Sequence, residues 1–584
     1  MAAEATNTIS KTPRPSTVSK WRAVALVLVH VAIIAHVVHW LVAGETLGPV
    51  EPSEAITFAD NSIISTGLVF FVIAIATTLV FGRFFCGWAC HLLAVQDLCL
   101  WMLKKVGITP KPIRSRTLLL VPIGAFIYMF LYPALYRVWF GIEFDAPRTE
   151  FIVDDFWATF PAWPVAVLTI AFAGFAVVYF LGSKGFCVNL CPYGAAFGAV
   201  DRLAVGRIRV TPACEGCGHC TQACNSNIVV HQEVRDYGMV VDQECLKCLD
   251  CVSVCPTDAL YFGFGKPALF AKPRSTAKGK TKRIRDWWKV NRWRNYKWGE
   301  EAALSVLFLA GLFSFRGLYN SVPFLFSLSI AGLFAFWILQ ALRLVYKSKV
   351  SLQGMTLKAD GSLTGSGRMY SLFSVVILAF WMQSAYVNYH RAQAEAGYIE
   401  LNEVVGSWLT SPRVLTTEQS VLVESTLDHA KKAEAGTPLS LFPHEEWELS
   451  LISGWLALLQ GDQAEFQARL EYASGIFETN TIAHNGLANF YAANGDSAAA
   501  LRWFERAALA SPDDTTTWTN WSRFLISSGR DAEALELLRK TAKSEHADER
   551  VFMNLGRLEL ALEHFDEGLA AFGEALKLDP EIVE

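Results

Sequence analysis

A chain of 584 residues is long enough for several domains, and 52% of its residues are hydrophobic, with a mean hydropathy of +0.29. This composition excludes an ordinary soluble protein of that size. The net charge of −4 and the pI near 6.3 give no sign of a nucleic-acid partner.

Apolar stretches of about 20 residues, the length that crosses a bilayer, predict seven membrane spans. The fifth and sixth are separated by only a tight connection near Arg316 and Asn320, so five spans with a re-entrant hairpin are the alternative. The first stretch is too long for a signal-peptide core, and we expect it to remain as an anchor. The seven stretches are 21–43, 63–82, 117–140, 162–182, 301–319, 323–342 and 370–388.

The distribution of charge predicts which side of the membrane each segment occupies. Basic residues concentrate in the N-terminal tail 1–20 and in the segments 83–116, 272–297 and 343–368, whereas the loops 44–62 and 141–161 are mainly acidic. The positive-inside rule then predicts a cytoplasmic N-terminus. Seven spans place the C-terminal domain in the periplasm of a bacterial inner-membrane protein. All 13 cysteines fall on the cytoplasmic side, where thiolates stay reduced.

The first span contains His30, His36 and His39, and ionisable residues inside a membrane indicate function by default. They could act at a quinone or in proton transfer, ligate haem, or make neutral helix contacts. Haem is disfavoured because no other predicted span has a histidine in its interior, unless His91 approaches from its end.

One motif occurs twice in the segment 21–205, which is predicted to be a four-helix membrane domain. Spans two and four are each followed by a basic residue and Phe-Cys-x3-Cys, with the two copies 101 residues apart. A parallel repeat of this kind brings both motifs together at the cytoplasmic face. Cysteines four residues apart share a helical face, and this arrangement suits a metal site or a redox-active thiol pair. The alternatives are a disulfide, a transient copper(I) site, an accessory cluster or simple packing. The four cysteines are Cys86, Cys90, Cys187 and Cys191, whereas Cys99 is expected to pack.

The segment 206–265 contains two copies of Cys-x2-Cys-x2-Cys-x3-Cys, the second followed by Pro256. In such runs three thiolates hold one iron–sulfur cube and the fourth reaches the neighbouring cube. Structural zinc is the alternative, but it needs only two CxxC pairs set further apart. The spacing therefore predicts two [4Fe–4S] clusters, one held by Cys214, Cys217, Cys220 and Cys255 and the other by Cys245, Cys248, Cys251 and Cys224.

The segment 206–265 resembles bacterial two-cluster ferredoxins. Residues 20–262 as a whole resemble membrane ferredoxin-type proteins that serve periplasmic nitrate reductase and nitrous-oxide reductase, and a copper-reducing accessory protein of haem–copper oxidase assembly. The resemblance implies electron transfer at the membrane. Two positions depart from it: His91 replaces the proline of the first CxxxCP motif, and Asn225 replaces a proline after the first cysteine run.

Residues 266–300 combine Lys, Arg, Trp and Tyr. Although arginine and aromatic residues can bind single-stranded nucleic acid, this position ahead of a span favours a flexible linker and an interfacial helix. Three further spans follow in 301–390, and 397–445 is predicted to be a helical connector.

Residues 446–584 show the 34-residue period of tetratricopeptide repeats, with Pro512 and Pro580 two periods apart. Such repeats stack into an α-solenoid whose concave surface binds a protein partner, unless the array has no ligand. No catalytic motif stands out in this segment.

Together these features predict a mostly α-helical, polytopic membrane protein with an α+β two-cluster ferredoxin insert and a C-terminal tetratricopeptide solenoid. The favoured function is electron relay between the quinone pool, or a cytoplasmic donor, and a partner redox enzyme. A copper or iron reductase or assembly factor is one alternative, and a redox sensor coupled to the repeats is another. Membrane lipid and a protein at the repeats are the expected partners, and nucleic acid is not.

Overall fold

A computed structural model describes residues 12–579, and the chain forms two compact units. One unit comprises 1–317 with 321–379, and the other comprises 318–320 with 380–584. The linker and most of the basic aromatic stretch predicted in 266–300, the first half of the N-terminal tail and Pro580 lie outside the described residues. Within 12–579 the description omits 111–112, 114, 116, 142–143, 145, 155, 157–162, 227, 275–295, 321, 409–413, 440–443, 445, 477–479, 513 and 545–546.

Six helices of the described chain are long and apolar enough to cross a membrane: Val18–Ala43, Val121–Phe140, Trp163–Leu181, Trp298–Phe315, Phe324–Tyr346 and Gly365–Glu400. The fifth and sixth predicted spans are both helices of this length, which favours two crossings over the re-entrant hairpin of the five-span alternative. The second predicted span is the 16-residue helix Thr66–Phe81, about 24 Å long at 1.5 Å per residue against a hydrocarbon core of about 30 Å. Six of the seven predicted spans are therefore helices of membrane-spanning length, and the second is a shorter apolar helix.

The ends of the short helix explain its length. The Ser65 side chain accepts a hydrogen bond from the Leu68 amide and caps its start, and Gly82 ends it with φ of +69°. Two longer membrane helices contain π-helical turns, at Ile127–Leu131 and Ile170–Ala176. The first of these turns lies just before Pro133, which cannot donate a backbone hydrogen bond.

The loops predicted to lie on the outer side pair with each other. The strand Thr46–Leu47 is antiparallel to Ile152–Val153, and Ile63–Ser65 is parallel to Arg148–Glu150. Between these strands the first loop forms a 3-10 turn at Pro52–Ala55 and the helix Ile56–Asn61.

The duplicated motif has the same local structure in both copies. After a glycine with positive φ, a five-residue helix, Phe84–Trp88 or Gly185–Asn189, precedes a longer one, His91–Lys105 or Pro192–Asp201. The first cysteine of each pair lies in the short helix and the second caps the longer one. The expectation that each pair shares one helical face is therefore wrong, because the helix breaks between them. Proline at the first position of the later copy fixes that helix start.

The ferredoxin insert is built on an antiparallel pair, Gly206–Val210 with Leu260–Phe264. Three short helices, His219–Gln222, Val230–Tyr237 and Asp250–Ser253, lie between the strands in sequence. Its core combines apolar side chains such as Ile208 and Val234 with cysteines of both runs. Further along the chain, the strands Val350–Leu352, Met355–Ala359 and Ser362–Leu363 form a small antiparallel sheet before the last membrane helix.

The second unit contains the end of the helix Gly365–Glu400, a connector and a helical stack. The connector helices are Asn402–Trp408 and Thr417–Ala435. Four antiparallel helix pairs follow: Trp447–Leu459 with Gln463–Ile476, Thr481–Ala493 with Ser497–Ala510, Thr515–Ser527 with Asp531–Thr541, and Glu549–Ala561 with Phe565–Leu578. At Gly454 an added Cβ would lie 2.6 Å from the Leu470 side chain, which would have to move to admit a larger residue.

Candidate iron–sulfur and thiol site

The two cysteine runs adopt the same turn. Gly216 and Gly218 have φ of +71° and +80° in the first run, and the equivalent Lys247 and Leu249 have φ of +52° and +63° in the second. A left-handed conformation is unfavourable for residues with a side chain, and such strain concentrates at functional sites. Both non-glycine positions nevertheless keep the left-handed conformation, which indicates that the cysteine spacing requires this backbone.

The second run surrounds a cavity with about 340 Å³ of empty space. Cys245, Cys248 and Cys251 line it together with Cys224, the last cysteine of the first run. Burial raises the pKa of Cys224, and the charges of Cys248 and Cys245 raise it further. The structure therefore places these four thiols around one space. The donor set and the cavity fit a cluster held by four thiolates.

No three His, Cys, Asp or Glu side chains in the described part of the chain converge on a point that would hold a single metal ion. A cubane cluster takes its thiolates at separate corners, so it does not need such convergence.

The first run is more exposed than the second. Cys214 is exposed and Cys217 and Cys220 are half-buried. Burial, reinforced by the charges of Cys217 and Cys214, raises the pKa of Cys220 to about 11. Burial alone would also raise the pKa of Cys255, but amide donors that include Ala259, 3.3 Å from its Sγ, lower it. Cys255 is therefore buried in the insert core in a setting that favours a thiolate.

The second run rests directly on the first CxxxC motif. A Cβ added to Gly87 would lie 2.1 Å from the Leu246 carbonyl oxygen, and the Trp88 indole donates to the Lys247 carbonyl at 3.0 Å. Leu246 packs in one apolar cluster with Cys86 and with Cys187 of the second motif. The cluster-binding loop and both membrane motifs thus form a continuous structure.

A fully buried carboxylate connects the ferredoxin insert to the membrane domain. Asp201, at the end of the helix Pro192–Asp201, accepts hydrogen bonds from Lys247 at 2.7 Å, from Arg207 at 2.8 Å and from the Arg83 amide at 3.1 Å. Asp201, Arg207 and Lys247 are each at most 1% exposed. Because a buried charge is tolerated only when paired, this carboxylate holds the insert to the membrane domain.

The four motif thiols lie in one apolar cluster, as the parallel repeat predicts. Cys86 and Cys187 are buried in it, and Cys90 and Cys191 pack against it. Two side chains that the sequence analysis did not single out contact them. Gln96 donates to the Cys187 sulfur at 3.4 Å, and the buried Arg83 guanidinium donates to the Cys187 carbonyl at 3.4 Å. Cys99 lies apart, in a small apolar cluster with Leu100 and Val178.

Two further cations are buried next to the second run. Arg22 pairs with Asp97 at 2.8 Å and with Asp250 at 3.6 Å, and Lys184 pairs with Asp97 at 2.5 Å. Both cations act electrostatically on Cys248. Asp250 acts on the same thiol in the opposite sense, and with Asp97 it balances the charge of the two cations.

The structure divides the four candidate histidines into two pairs. His36 bonds to the Leu47 carbonyl at 2.9 Å and His39 to the Thr46 hydroxyl at 3.0 Å, so both connect the first membrane helix to the loop that follows it. These two hydrogen bonds correspond to the alternative in which the histidines of the first span make helix contacts. His30 instead interacts electrostatically with His91.

His91 joins a polar cluster beside the thiols. Its Nε2 lies 3.7 Å from the Glu51 carboxylate. The charges of Glu51 and Glu54 also act on the buried Tyr193 hydroxyl, which has no hydrogen-bond partner among the described residues. The two glutamates belong to the loop 44–62, which is predicted to lie on the opposite side of the membrane from the motifs. Sequence patterns do not reveal this contact, because the two glutamates are distant in sequence from both His91 and Tyr193.

An apolar cavity with about 530 Å³ of empty space lies between the membrane helices of the first unit. Phe180, Phe308 and Phe336 contribute to its walls, with Thr117 and Ser329 as polar members. Leu190, which directly precedes Cys191, also lines it. The cavity therefore adjoins the second CxxxC motif.

Comparison with known proteins agrees with these features. Residues 65–109 and 163–211 match the family described as 4Fe-4S binding domain, residues 213–260 the 4Fe-4S dicluster domain and residues 549–582 the tetratricopeptide repeat. The ferredoxin-type protein NapH of Haemophilus influenzae is 25% identical over 38% of this chain and 73% of its own. The methylamine utilization ferredoxin-type protein MauN of Methylorubrum extorquens is 28% identical over 38% of this chain and 78% of its own length.

Solved structures match over the repeats. The crystal structure of MamA is 16% identical, with a TM-score of 0.24 over 29% of this chain and 99% of its own. A tetratricopeptide protein of Thermus thermophilus is 14% identical, with a TM-score of 0.25, and the match covers 33% of this chain and 93% of that protein. The family matches and relatives confirm the predicted resemblance to membrane-bound ferredoxin-type proteins with C-terminal tetratricopeptide repeats. The chain is a multi-pass membrane protein.

Proposed function

We propose that this protein transfers electrons at the bacterial inner membrane through two [4Fe–4S] clusters, which link a donor to a partner redox enzyme. Cys214, Cys217, Cys220 and Cys255 would hold the first cluster, and Cys245, Cys248, Cys251 and Cys224 the second. The observation that carries this proposal is the cavity that Cys224 shares with the second run. Clusters bound in this way supply one-electron relay sites.

The ligand assignment is tested by substituting the crossing cysteine. Iron and acid-labile sulfide analysis with electron paramagnetic resonance should show two cubanes in the intact protein. Cys224→Ser should remove or alter the spectrum of the second cluster and leave the first. The control, Cys99→Ser, changes a packing cysteine and should keep both spectra. Zinc in place of iron, or loss of the first cluster alone in Cys224→Ser, would contradict the assignment.

We further propose that the quinone pool supplies electrons near the CxxxC motifs. The apolar cavity that reaches Leu190 has the lining expected for an isoprenoid quinone. His91, Glu51 and Tyr193 would exchange the protons that accompany quinol oxidation. Tyr193 belongs to the apolar cluster that also contains Cys86, Cys187 and Leu246 of the second cysteine run.

The quinone proposal is tested by filling the cavity. A Cβ at Gly332 would meet only Phe308, at 3.8 Å, so Gly332→Leu should occupy the space without forcing the helices apart. We expect slower reduction of the clusters by quinol in this variant, with unchanged reduction by dithionite. Gly124→Leu, at a membrane-helix glycine with open space around it, is the matched control. Equal quinol kinetics in all three proteins would refute this site.

The second candidate function is handling of copper or iron by the CxxxC motifs, whose four soft thiols share one apolar cluster. They do not converge on a single point in the described structure, so binding a single ion would require them to move closer together. Stoichiometric copper that is lost on Cys86→Ser or Cys187→Ser, with both clusters retained, would support it. Copper absent from the intact protein under reducing conditions would favour the redox relay.

For the arrangement across the membrane, we propose a cytoplasmic ferredoxin insert and periplasmic repeats that hold the partner enzyme. The N-terminal segment supports a shared side for itself and the insert, because Arg14 binds Asp258 at 2.7 and 2.8 Å and Ser16 binds Asp250 at 3.0 Å.

A further inference from the structure

The first helices of the last three repeats carry a row of polar residues at one repeated position. Asn489, Arg523 and Arg557 are spaced 34 residues apart, which is one repeat period. Both arginines are exposed and Asn489 is half-buried. The three helices, Thr481–Ala493, Thr515–Ser527 and Glu549–Ala561, contact one another in succession along the stack. In such solenoids this stacking creates an extended concave binding surface.

The charge of this surface is opposite to that of the domain around it. Residues 446–584 contain 24 acidic and 11 basic side chains. The inner positions of the three helices nevertheless include three arginines and no carboxylate. These positions, which we call the inner groove, are Ile482, Asn485, Asn489, Thr516, Thr519, Arg523, Arg550, Met553 and Arg557.

The arginines of the inner groove are only partly neutralised. Arg550 pairs with Asp548 at 2.8 Å. Arg523 bonds to the neutral Asn520 side chain. Arg557 forms no ion pair with any residue that the structure describes. Two guanidinium groups of the row are therefore available to an acidic ligand.

Buried polar atoms in the inner groove also lack partners. Asn485 is 7% exposed; its amide nitrogen donates to Thr517 at 2.8 Å, but its Oδ1 has no hydrogen-bond partner among the described residues. The hydroxyl of Thr519, one period later, is likewise buried and unsatisfied among them. A buried unsatisfied polar group costs about 1–3 kcal/mol, which a ligand with amide and carbonyl groups would relieve.

The first repeat shows that this surface accepts a chain segment. Its residues at the equivalent positions, Leu451 and Trp455, pack in one apolar cluster with Val404 and Val405 of the connector helix Asn402–Trp408. The surface is therefore apolar and covered at the first repeat, and it becomes polar and basic over the next three.

We propose that the inner groove binds an acidic peptide segment of a partner protein, with carboxylates on Arg523 and Arg557 and the peptide backbone on Asn485 and Thr519. Charge-assisted hydrogen bonds between guanidinium and carboxylate groups are strong and directional. This inference rests on the partner-docking role proposed for the repeats and identifies the chemistry of the segment they hold.

The test measures peptide binding by the full-length protein in lipid nanodiscs. The probe is a fluorescein-labelled ten-residue peptide of alternating Glu and Ala, and its Gln–Ala counterpart is the neutral control. We expect saturable binding of the Glu peptide that weakens with salt, and little binding of the Gln peptide. Arg523→Gln and Arg557→Gln should each weaken binding about ten-fold.

The matched control is Arg530→Gln. Arg530 is a partly exposed arginine at the N-cap of the helix Asp531–Thr541, its partner is Glu533, and this variant should bind the peptide like the unsubstituted protein. Hydrogen exchange of the repeat helices shows whether each variant is folded. Equal binding of the two peptides, equal binding by the arginine variants, or no saturable binding would overturn the inference. The cluster spectra are recorded on the same samples, so failure of the groove is distinguished from failure of the electron-transfer proposal.

Discussion

At the scale of single residues, Asp201 connects the membrane domain to the ferredoxin insert. Its carboxylate pairs with Lys247 and Arg207 in a site that excludes water. Removing one member of such a group leaves buried charges without compensation, which costs far more than losing a surface pair.

Asp201→Asn should therefore destabilise the insert by about 3–5 kcal/mol, because Lys247 and Arg207 would remain buried without their counter-charge. Thermal unfolding followed by loss of the cluster absorbance measures this effect. Asp258→Asn removes an exposed carboxylate that pairs with Arg14 and should cost less than about 1 kcal/mol. Similar losses in both variants would show that Asp201 is not a structural anchor.

A second buried carboxylate, Glu559, gives the repeats a pH dependence. Burial alone would raise its pKa, but bonds from Arg539 at 2.7 and 3.0 Å and from His564 at 2.7 Å lower it. A carboxylate whose pKa is lowered on folding stabilises the fold above its unfolded pKa. That stabilisation is lost as the pH falls through the folded pKa.

We expect faster hydrogen exchange in the helix Glu549–Ala561 as the pH drops below about 4.5, after correction for intrinsic exchange rates. Glu559→Gln should lose about 1–2 kcal/mol near neutral pH and show a flatter pH profile. Glu533→Gln, at an exposed carboxylate paired with Arg530, is the control. A profile that is as steep in Glu559→Gln as in the unsubstituted protein would refute this assignment.

At the scale of secondary-structure elements, the short helix Phe84–Trp88 and the loop of the second cysteine run are in close contact. Only glycine fits at position 87, because the Leu246 carbonyl occupies the space of a side chain. Gly87→Ala should force the two elements apart, at a cost of about 1–3 kcal/mol. The shift should change the paramagnetic spectrum of the second cluster.

The control for this contact is Gly124→Ala, at a helical glycine with no atom within 4 Å of an added Cβ. It should leave stability and both spectra unchanged. An unchanged second-cluster spectrum in Gly87→Ala would mean that the loop adapts without moving the cysteines.

The sequence predicted those elements whose determinants are local. The cysteine runs, the apolar stretches and the 34-residue period each depend on neighbouring positions, and the family matches and the structure agree with the fold class drawn from them. Contacts between distant residues were missed: Asp201 meets Lys247 across 46 positions and the Arg83 amide across 118. The break in the CxxxC helices was also missed, because spacing alone does not show where a helix ends.

At the scale of the whole molecule, the number of complete crossings decides on which side the repeats lie. The helix Thr66–Phe81 is shorter than the others, but the loop 44–62 before it pairs with the loop 141–161. The motif after this helix instead contacts the ferredoxin insert. Periplasmic repeats would require this short helix to count as a crossing, although Glu51 of the loop before it also lies 3.7 Å from His91 of the motif after it.

The proposed topology predicts opposite accessibility for two introduced tags. An epitope tag after Glu584 should be accessible from the periplasm in spheroplasts, whereas one in the linker 275–295 should be reached only after the membrane is permeabilised. A tag in the loop 141–161 should behave like the C-terminal one. Protection of the C-terminal tag together with the linker tag would place the repeats beside the clusters, and a partner held by the repeats would then be cytoplasmic.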